Sequence, residues 1–193
     1  MTPQFYLASA SPRRRQLLEQ LGLRFEERVA NVDESLHPGE APESYVSRVA
    51  EAKALAVVQR LGSPVLPVLA ADTAVVLDGS ILGKPRDRSD GIAMLSRLAG
   101  RSHQVLSAVA LWHGGRIQRA VSLSRVAFRA IAPEEAAAYW ASGEPADKAG
   151  GYGIQGLGGV FVESLDGSYS GVMGLPLFET AALLKETGIH VLS

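Results

Sequence analysis

The sequence predicts an α/β fold in which a mixed, twisted sheet is flanked by helices and two lobes surround a cleft. Strand-like and helix-like segments alternate along the chain, and two long hairpins interrupt that alternation. A length of 193 residues suits one domain. We therefore expect residues 1–193 to form a single domain, with the cleft between its lobes.

The first predicted strand, over residues 5–8, runs into a strongly basic turn. Ser11 is a good N-cap and Pro12 suits the first helical position, so we expect a helix from here to Gly22. A helix amino terminus carries about half a positive charge, which makes further cations unfavourable unless an anion binds. Three cations follow Pro12 directly: Arg13, Arg14 and Arg15. This pattern favours a phosphate-binding site, and the alternative is a solvated basic turn.

Two further charged positions follow in the chain. After a predicted strand over residues 24–29, Asp33 and Glu34 form an acidic pair in a loop. Such pairs are usually solvated, but facing phosphates they would suit Mg²⁺, which binds one or two carboxylates together with substrate oxygens. In the next predicted helix, residues 42–61, Lys53 falls on the apolar stripe. We expect Lys53 either to meet an anion or to extend its ammonium group to solvent.

The central segment, residues 65–85, is predicted to be a hairpin. The apolar run over residues 65–71 is typical of a strand buried on both faces, and Asp72 is expected at its carboxyl end. Asp78-Gly79 predicts a type I′ turn, which would bring Lys84 back towards Asp72. The two charges could serve a metal-bound, phosphate-bearing substrate or form a structural ion pair.

The next segments are predicted to cover and extend the sheet. Ser89 is expected to cap a helix that Gly100 ends. A second hairpin is predicted from residues 102–112 and 116–131, and Pro133 begins a short helix.

A glycine-rich segment, residues 143–159, then contains seven glycines. Loops of this length in compact domains are usually functional or disordered. Gln155 can both donate and accept hydrogen bonds, as recognition of a base edge requires. The alternative for the whole segment is a flexible linker. A strand over residues 160–165 and a helix with Pro176 in its first turn complete the chain.

The bulk properties exclude several classes of function. The formal net charge is −1, which gives no overall basic field for nucleic acid, and there are no cysteines for disulfides or thiolate metal sites. The amino terminus lacks a signal-peptide pattern and no stretch approaches the ~20 apolar residues of a membrane span. We expect a cytoplasmic protein with no nucleic-acid or membrane partner.

Several separated motifs together resemble the Maf family of nucleoside triphosphate pyrophosphatases. In chain order they are Ser9-Ala10-Ser11-Pro12-Arg13-Arg14, Val32-Asp33-Glu34, Lys53-Ala54, Asp72-Thr73, Gly83-Lys84-Pro85, Gly143-Glu144-Pro145, Asp147-Lys148-Ala149-Gly150, Tyr152-Gly153-Ile154-Gln155-Gly156 and Gly174-Leu175-Pro176. The resemblance implies a fold similar to the ITPase-like proteins, a homodimer, and metal-dependent hydrolysis of a nucleoside triphosphate between the α and β phosphates. The glycine-rich loop looks like that of the branch that prefers dTTP and UTP.

The resemblance also implies roles for individual residues. They are catalytic roles for Glu34, Lys53, Asp72 and Lys84, substrate contacts for Ser9, Arg13, Arg14 and Gln155, and a divalent cation, Mg²⁺ or Mn²⁺, held by Glu34 and Asp72. Asp72 would be the general base for the water that attacks the α phosphorus. Two alternatives stay open: a 7-methyl-GTP pyrophosphatase, and a non-catalytic nucleotide-binding regulator of cell division.

Overall fold

A seven-stranded mixed sheet forms the centre of the computed structural model, which describes residues 2–192. The strands are β1 (Phe5–Leu7), β2 (Phe25–Glu27), β3 (Val68–Leu77), β4 (Ser80–Leu82), β5 (Ser102–His113), β6 (Arg116–Phe128) and β7 (Val162–Asp166). Their order is β2-β1-β3-β5-β6-β7, and β4 pairs with β3 off this path. The strands β2, β1 and β3 are parallel, whereas all other pairs are antiparallel. The predicted mixed sheet is confirmed.

Helices cover both faces of this sheet. They are α1 (Pro12–Gln20), α2 (Pro42–Leu61), α3 (Arg88–Leu98), α4 (Pro133–Ala141), α5 (Tyr169–Met173) and α6 (Leu177–Glu186). Alternate residues of β3 point to opposite faces: Ala70 and Ala74 pack against α2, whereas Leu69 and Ala71 pack in the cluster that contains residues of α1, α5 and α6. No helix among residues 2–192 is both long enough and apolar enough to cross a membrane.

A third buried cluster forms beyond this helix-covered part of the sheet. It joins the far ends of β3 and β6 to α3, α4 and the glycine-rich segment, through residues that include Leu77, Leu95, Phe128, Tyr139 and Tyr152. The glycine-rich segment is built from three 3₁₀ turns, Glu144–Asp147, Ala149–Gly151 and Leu157–Phe161. It is therefore an ordered part of the fold, and the interpretation as a flexible linker is wrong.

The central hairpin is partly as predicted. Asp78 and Gly79 have φ of 51° and 76°, the two positive values that a type I′ turn requires. However, β3 begins at Val68 and continues to Leu77, pairing with β5 from Val68 to Val76. Asp72 therefore lies in the middle of a strand, and its predicted place at the strand end is wrong.

Two helix starts also differ from the predictions. The N-cap of α3 is Asp87, whose carboxylate accepts a hydrogen bond from the Asp90 amide at 2.9 Å, so Ser89 is not the cap. The last helix, α6, begins after Pro176 and is preceded by the short helix α5, which the sequence did not predict.

Candidate active site

One cleft of about 620 Å³ contains every predicted site residue. Its walls come from the β1–α1 turn, the loop before α2, α2 itself, the β3–β4 hairpin, the glycine-rich segment and α5. The predicted residues that line it are Ser9, Arg13, Arg14, Glu34, Lys53, Asp72, Lys84 and Gln155. The fold thus brings together eight residues from several separate segments of the chain.

Lys53 is the electrostatic centre of this cleft. It projects from the buried face of α2, and its Nζ lies 2.7 Å from Asp72 Oδ1 and 2.8 Å from Glu34 Oε1. A buried ammonium group is tolerated only with such partners, because losing its hydration costs several kcal/mol. Lys53 therefore meets anions, as one of the two expectations held, and does not extend to solvent.

Asp72 lies on the same face of β3 as Ala70 and Ala74, and this face packs against α2. The carboxylate of Asp72 therefore meets Lys53, which α2 carries. It is only 6% exposed, and burial raises the pKa of its carboxyl above the ordinary value, while the charges of Lys53 and Arg14 oppose that rise. Its ion pair is with Lys53 rather than with Lys84. The hairpin turn brings Lys84 to the same cleft, and the alternative of a structural ion pair between Asp72 and Lys84 is wrong.

The three arginines of α1 separate into different environments. Arg14 is buried and donates from Nε to the Gly174 carbonyl (2.8 Å), from Nη1 to Ser9 Oγ (3.3 Å) and from Nη2 to Thr73 Oγ1 (3.4 Å). A guanidinium has five N–H donors, so two remain for a ligand.

Of the other two arginines, one lies in the cleft and one at the surface outside it. Arg13 lines the cleft and lies 3.9 Å from Asp147. Arg15 instead pairs with Glu19 and Glu27 at the surface. The alternative of a solvated basic turn therefore fits Arg15, whereas Arg13 is half-buried in the cleft and Arg14 is buried.

The acidic pair divides in the same way. Asp33 accepts hydrogen bonds from the Ser35 hydroxyl and, at 2.9 Å, from the Ser35 amide, and these local bonds lower its pKa. Glu34 instead faces Lys53, and its backbone carbonyl accepts a bond from the Tyr45 hydroxyl at 3.0 Å. Burial, with the nearby charges of Asp72 and Glu34, raises the pKa of Tyr45 to about 12.

Two exposed groups of the cleft are available to a ligand. Lys84 has no ion-pair partner within residues 2–192, and over the same range the side chain of Gln155 makes no hydrogen bond. Lys84 comes from the end of the central hairpin and Gln155 from the glycine-rich segment. The cleft therefore presents a cation and an amide from different walls.

The donor set of the cleft fits a hard divalent cation. In each of the Asp72 and Glu34 carboxylates one oxygen faces Lys53, and the second makes no hydrogen bond within the described part of the chain. No cluster of three or more His, Cys, Asp or Glu side chains that could hold a metal occurs among residues 2–192. Two carboxylates completed by substrate phosphate oxygens are the arrangement that Mg²⁺ commonly uses.

A comparison with protein families agrees with this arrangement of motifs. The family model described as Maf-like protein matches residues 4–187. The chain belongs to the Maf family. The predicted resemblance is confirmed.

Relatives of this Maf protein match it over nearly the whole chain. A dTTP/UTP pyrophosphatase of Bordetella parapertussis is 54% identical over 198 residues, covering 98% of this chain and 95% of its own. Proteins of the same description from Chromobacterium violaceum and Cupriavidus metallidurans are each 52% identical, over 189 and 199 residues. They cover 96% and 98% of this chain, and 96% and 100% of their own lengths.

One solved structure is similar to this chain, but with lower sequence identity than the relatives above. It is a nucleoside-triphosphatase / dITP/XTP pyrophosphatase from Mycobacterium abscessus, 18% identical, with a TM-score of 0.44 and coverage of 95% of this chain and 94% of its own. That likeness is too distant to bear on the substrate of this Maf protein.

Several side chains of the Maf cleft were not singled out from the sequence. Tyr45 lies beside Glu34, and Thr73 supports Arg14 on the β3 face opposite Asp72. Lys148 donates to the Glu144 carbonyl at 2.6 Å and to Asp147 at 2.7 Å. Of these side chains, Tyr45 had no sequence signal, whereas Thr73, Asp147 and Lys148 belong to motifs of the resemblance.

Proposed function

We propose that this Maf protein hydrolyses dTTP and UTP to the nucleoside monophosphate and pyrophosphate, using Mg²⁺ or Mn²⁺. The observation that carries the proposal is the buried Lys53, which holds Asp72 and Glu34 in a cleft that also contains Arg13 and Lys84. Two carboxylates facing several cations suit a metal-bound polyphosphate. The names of the relatives support dTTP and UTP as the substrates.

In this proposal the cations of the cleft bind the phosphates. Lys84 and Arg13 offset the charge that develops on the leaving pyrophosphate, and the two remaining donors of Arg14 contact a phosphate oxygen. Because Arg14 is fixed by three protein oxygens, it meets the substrate without further ordering. Ser9, which accepts from Arg14 and from the Ser11 amide, supports the same turn.

Asp72 acts as the general base in this proposal. Burial raises the pKa of its carboxyl, which makes the carboxylate a stronger proton acceptor than an exposed aspartate. Lys53 at 2.7 Å favours the ionised form, so the group is both charged and basic. Asp72 therefore accepts a proton from the water that attacks the α phosphorus.

Glu34 and Asp72 would hold the divalent cation through their free oxygens, together with phosphate oxygens. When bound there, the cation would neutralise phosphate charge and lower the pKa of a water molecule. The proposal also includes a homodimer in the cytoplasm, and light scattering at twice the mass of one chain would support the dimer. A monomer at working concentrations would contradict it.

The product identity tests the proposed reaction. The protein is incubated with dTTP, UTP and 7-methyl-GTP, with Mg²⁺, with Mn²⁺ and with excess chelator, and pyrophosphate and phosphate are measured separately. We expect pyrophosphate from dTTP and UTP in the presence of metal only. Inorganic phosphate as the product would refute the cleavage position, and faster turnover of 7-methyl-GTP would refute the substrate.

A further inference from the structure

The side chains of Tyr139 and Glu144 form hydrogen bonds to the backbone on both sides of Gln155. The Gly153 amide donates to Tyr139 Oη at 3.0 Å, and Tyr139 Oη donates to Glu144 Oε1 at 2.7 Å. On the other side of Gln155, Glu144 accepts from the Leu157 amide at 2.8 Å and from the Gly158 amide at 3.1 Å. Residues 153–158 thus form a loop closed on the Tyr139–Glu144 pair.

The glycines of this loop are required by how closely it approaches the pair. A Cβ added at Gly156 would lie 2.4 Å from Glu144 Oε2, and one at Gly158 would lie 2.5 Å from Tyr139 Oη. Either contact is far closer than van der Waals distance, so a side chain there would displace the carboxylate or the phenol. These glycines therefore let the backbone wrap around its anchor.

The anchor itself is fixed by the core. Tyr139 lies on α4, is only 5% exposed, and packs edge-on against Phe161 with ring centroids 5.2 Å apart. Burial alone would raise the pKa of the Glu144 carboxyl, but bonds from Tyr139, Gly158 and Leu157 hold it below its ordinary value. Glu144 is consequently ionised at neutral pH and accepts all three bonds.

Gln155 lies between the two fastening points and is exposed to the cleft. Its side chain has no hydrogen-bond partner within residues 2–192, so its position depends on the backbone that carries it. We propose that Tyr139 and Glu144 are positioning residues for Gln155, and that through it they set the preference for pyrimidine over purine triphosphates. This inference rests on the proposed function and deepens it.

Substrate preference separates positioning from a general structural role. For Tyr139→Phe, Glu144→Ala and Gln155→Ala, kcat/KM is measured with dTTP and with dATP. We expect Glu144→Ala to lower the dTTP/dATP ratio by about tenfold, the equivalent of one net hydrogen bond. The double variant Glu144→Ala/Gln155→Ala should lower the ratio of kcat/KM for dTTP to that for dATP no further than Gln155→Ala alone. Equal losses on both nucleotides, or additive losses of the ratio, would overturn the inference.

A matched control and a measurement without catalysis complete the test. Glu135, also on α4, accepts from the Ala132 amide and pairs with Arg129 at the surface, so Glu135→Ala should leave the ratio unchanged. Hydrogen exchange of the amides of Leu157 and Gly158, which donate to Glu144, should accelerate by about tenfold in Glu144→Ala but not in Glu135→Ala. Unchanged exchange would overturn the anchoring. If the unaltered protein turned over no nucleotide while Glu144→Ala still accelerated hydrogen exchange as expected, the proposed function would be refuted, and with it the effect on substrate preference. The anchoring of the loop by Glu144 would then stand.

Discussion

Replacing Lys53 by methionine removes the cation that lies between two carboxylates. The Lys53 and Asp72 side chains are 11% and 8% exposed, so the change leaves a buried carboxylate without its ion-pair partner. Breaking a buried pair by removing one partner costs about 3–5 kcal/mol. Glu34 is 46% exposed and well solvated, so its pairing adds at most about 1 kcal/mol. We therefore expect Lys53→Met to lower the free energy of unfolding by about 3–5 kcal/mol.

Urea unfolding measures this loss, and at an m-value of about 2 kcal/mol/M it corresponds to a midpoint shift of about 1.5–2.5 M. The double variant Lys53→Met/Asp72→Asn no longer has a buried carboxylate without its ammonium partner, so it should be more stable than Lys53→Met alone. Arg119→Met is the control, because its pair with Glu51 is at the surface and should change stability by about 1 kcal/mol or less.

The loss should also depend on pH in a defined direction. Without Lys53 the pKa of Asp72 rises further, so the folded state binds a proton more readily than the unfolded state, and stability falls as pH rises through that raised pKa. The difference in free energy of unfolding between Lys53→Met and the unaltered protein should therefore be smaller at pH 5 than at pH 8. A loss below about 1 kcal/mol, a double variant no better than the single, or the opposite pH dependence would refute the buried-pair reasoning.

Further predictions concern catalysis in the same cleft. Asp72→Asn should retain the fold but lower kcat for dTTP by about 10²–10⁴-fold, because the general base is lost; near-normal turnover would rule out that role. The kcat/KM of the unaltered protein, which reports groups of the free enzyme, should fall as pH decreases through the pKa of Asp72, with the acidic limb above about 3.9, because burial raises that pKa; a limb at the unperturbed value would contradict it. Arg13→Ala and Lys84→Ala should each lower kcat/KM, whereas Arg15→Ala, which alters only surface pairs, should not; equal effects of all three would contradict the separation of the arginines.

The sequence predicted the elements and the members of the cleft better than their contacts. Lys53 was recognisable because a helical stripe has a fixed period, and a charged residue on it requires a partner. The position of Asp72 was misjudged because the apolar run before it looked like a whole strand, whereas β3 continues through Thr73 to Leu77. The pairing of Asp72 with Lys53 was not predicted, because a hairpin turn determines which residues are near, but the face of the strand determines which of them meet.

The burial of Arg14 and the Tyr139–Glu144 anchor could not be predicted in the same way. Arg14 is held by Gly174, which is 160 positions further along the chain, and no local pattern encodes such a contact. The seven glycines of the glycine-rich segment allow a close approach to its backbone, but they do not say which group approaches. Only the fold reveals that the approaching group is the carboxylate of Glu144, at the start of the same segment.

Hydrolysis of dTTP in H₂¹⁸O tests the proposed reaction most directly. Attack by water on the α phosphorus places the new oxygen in the monophosphate, so mass spectrometry should find ¹⁸O in dTMP and none in pyrophosphate. Label in pyrophosphate, or in released inorganic phosphate, would contradict the mechanism proposed for this cleft.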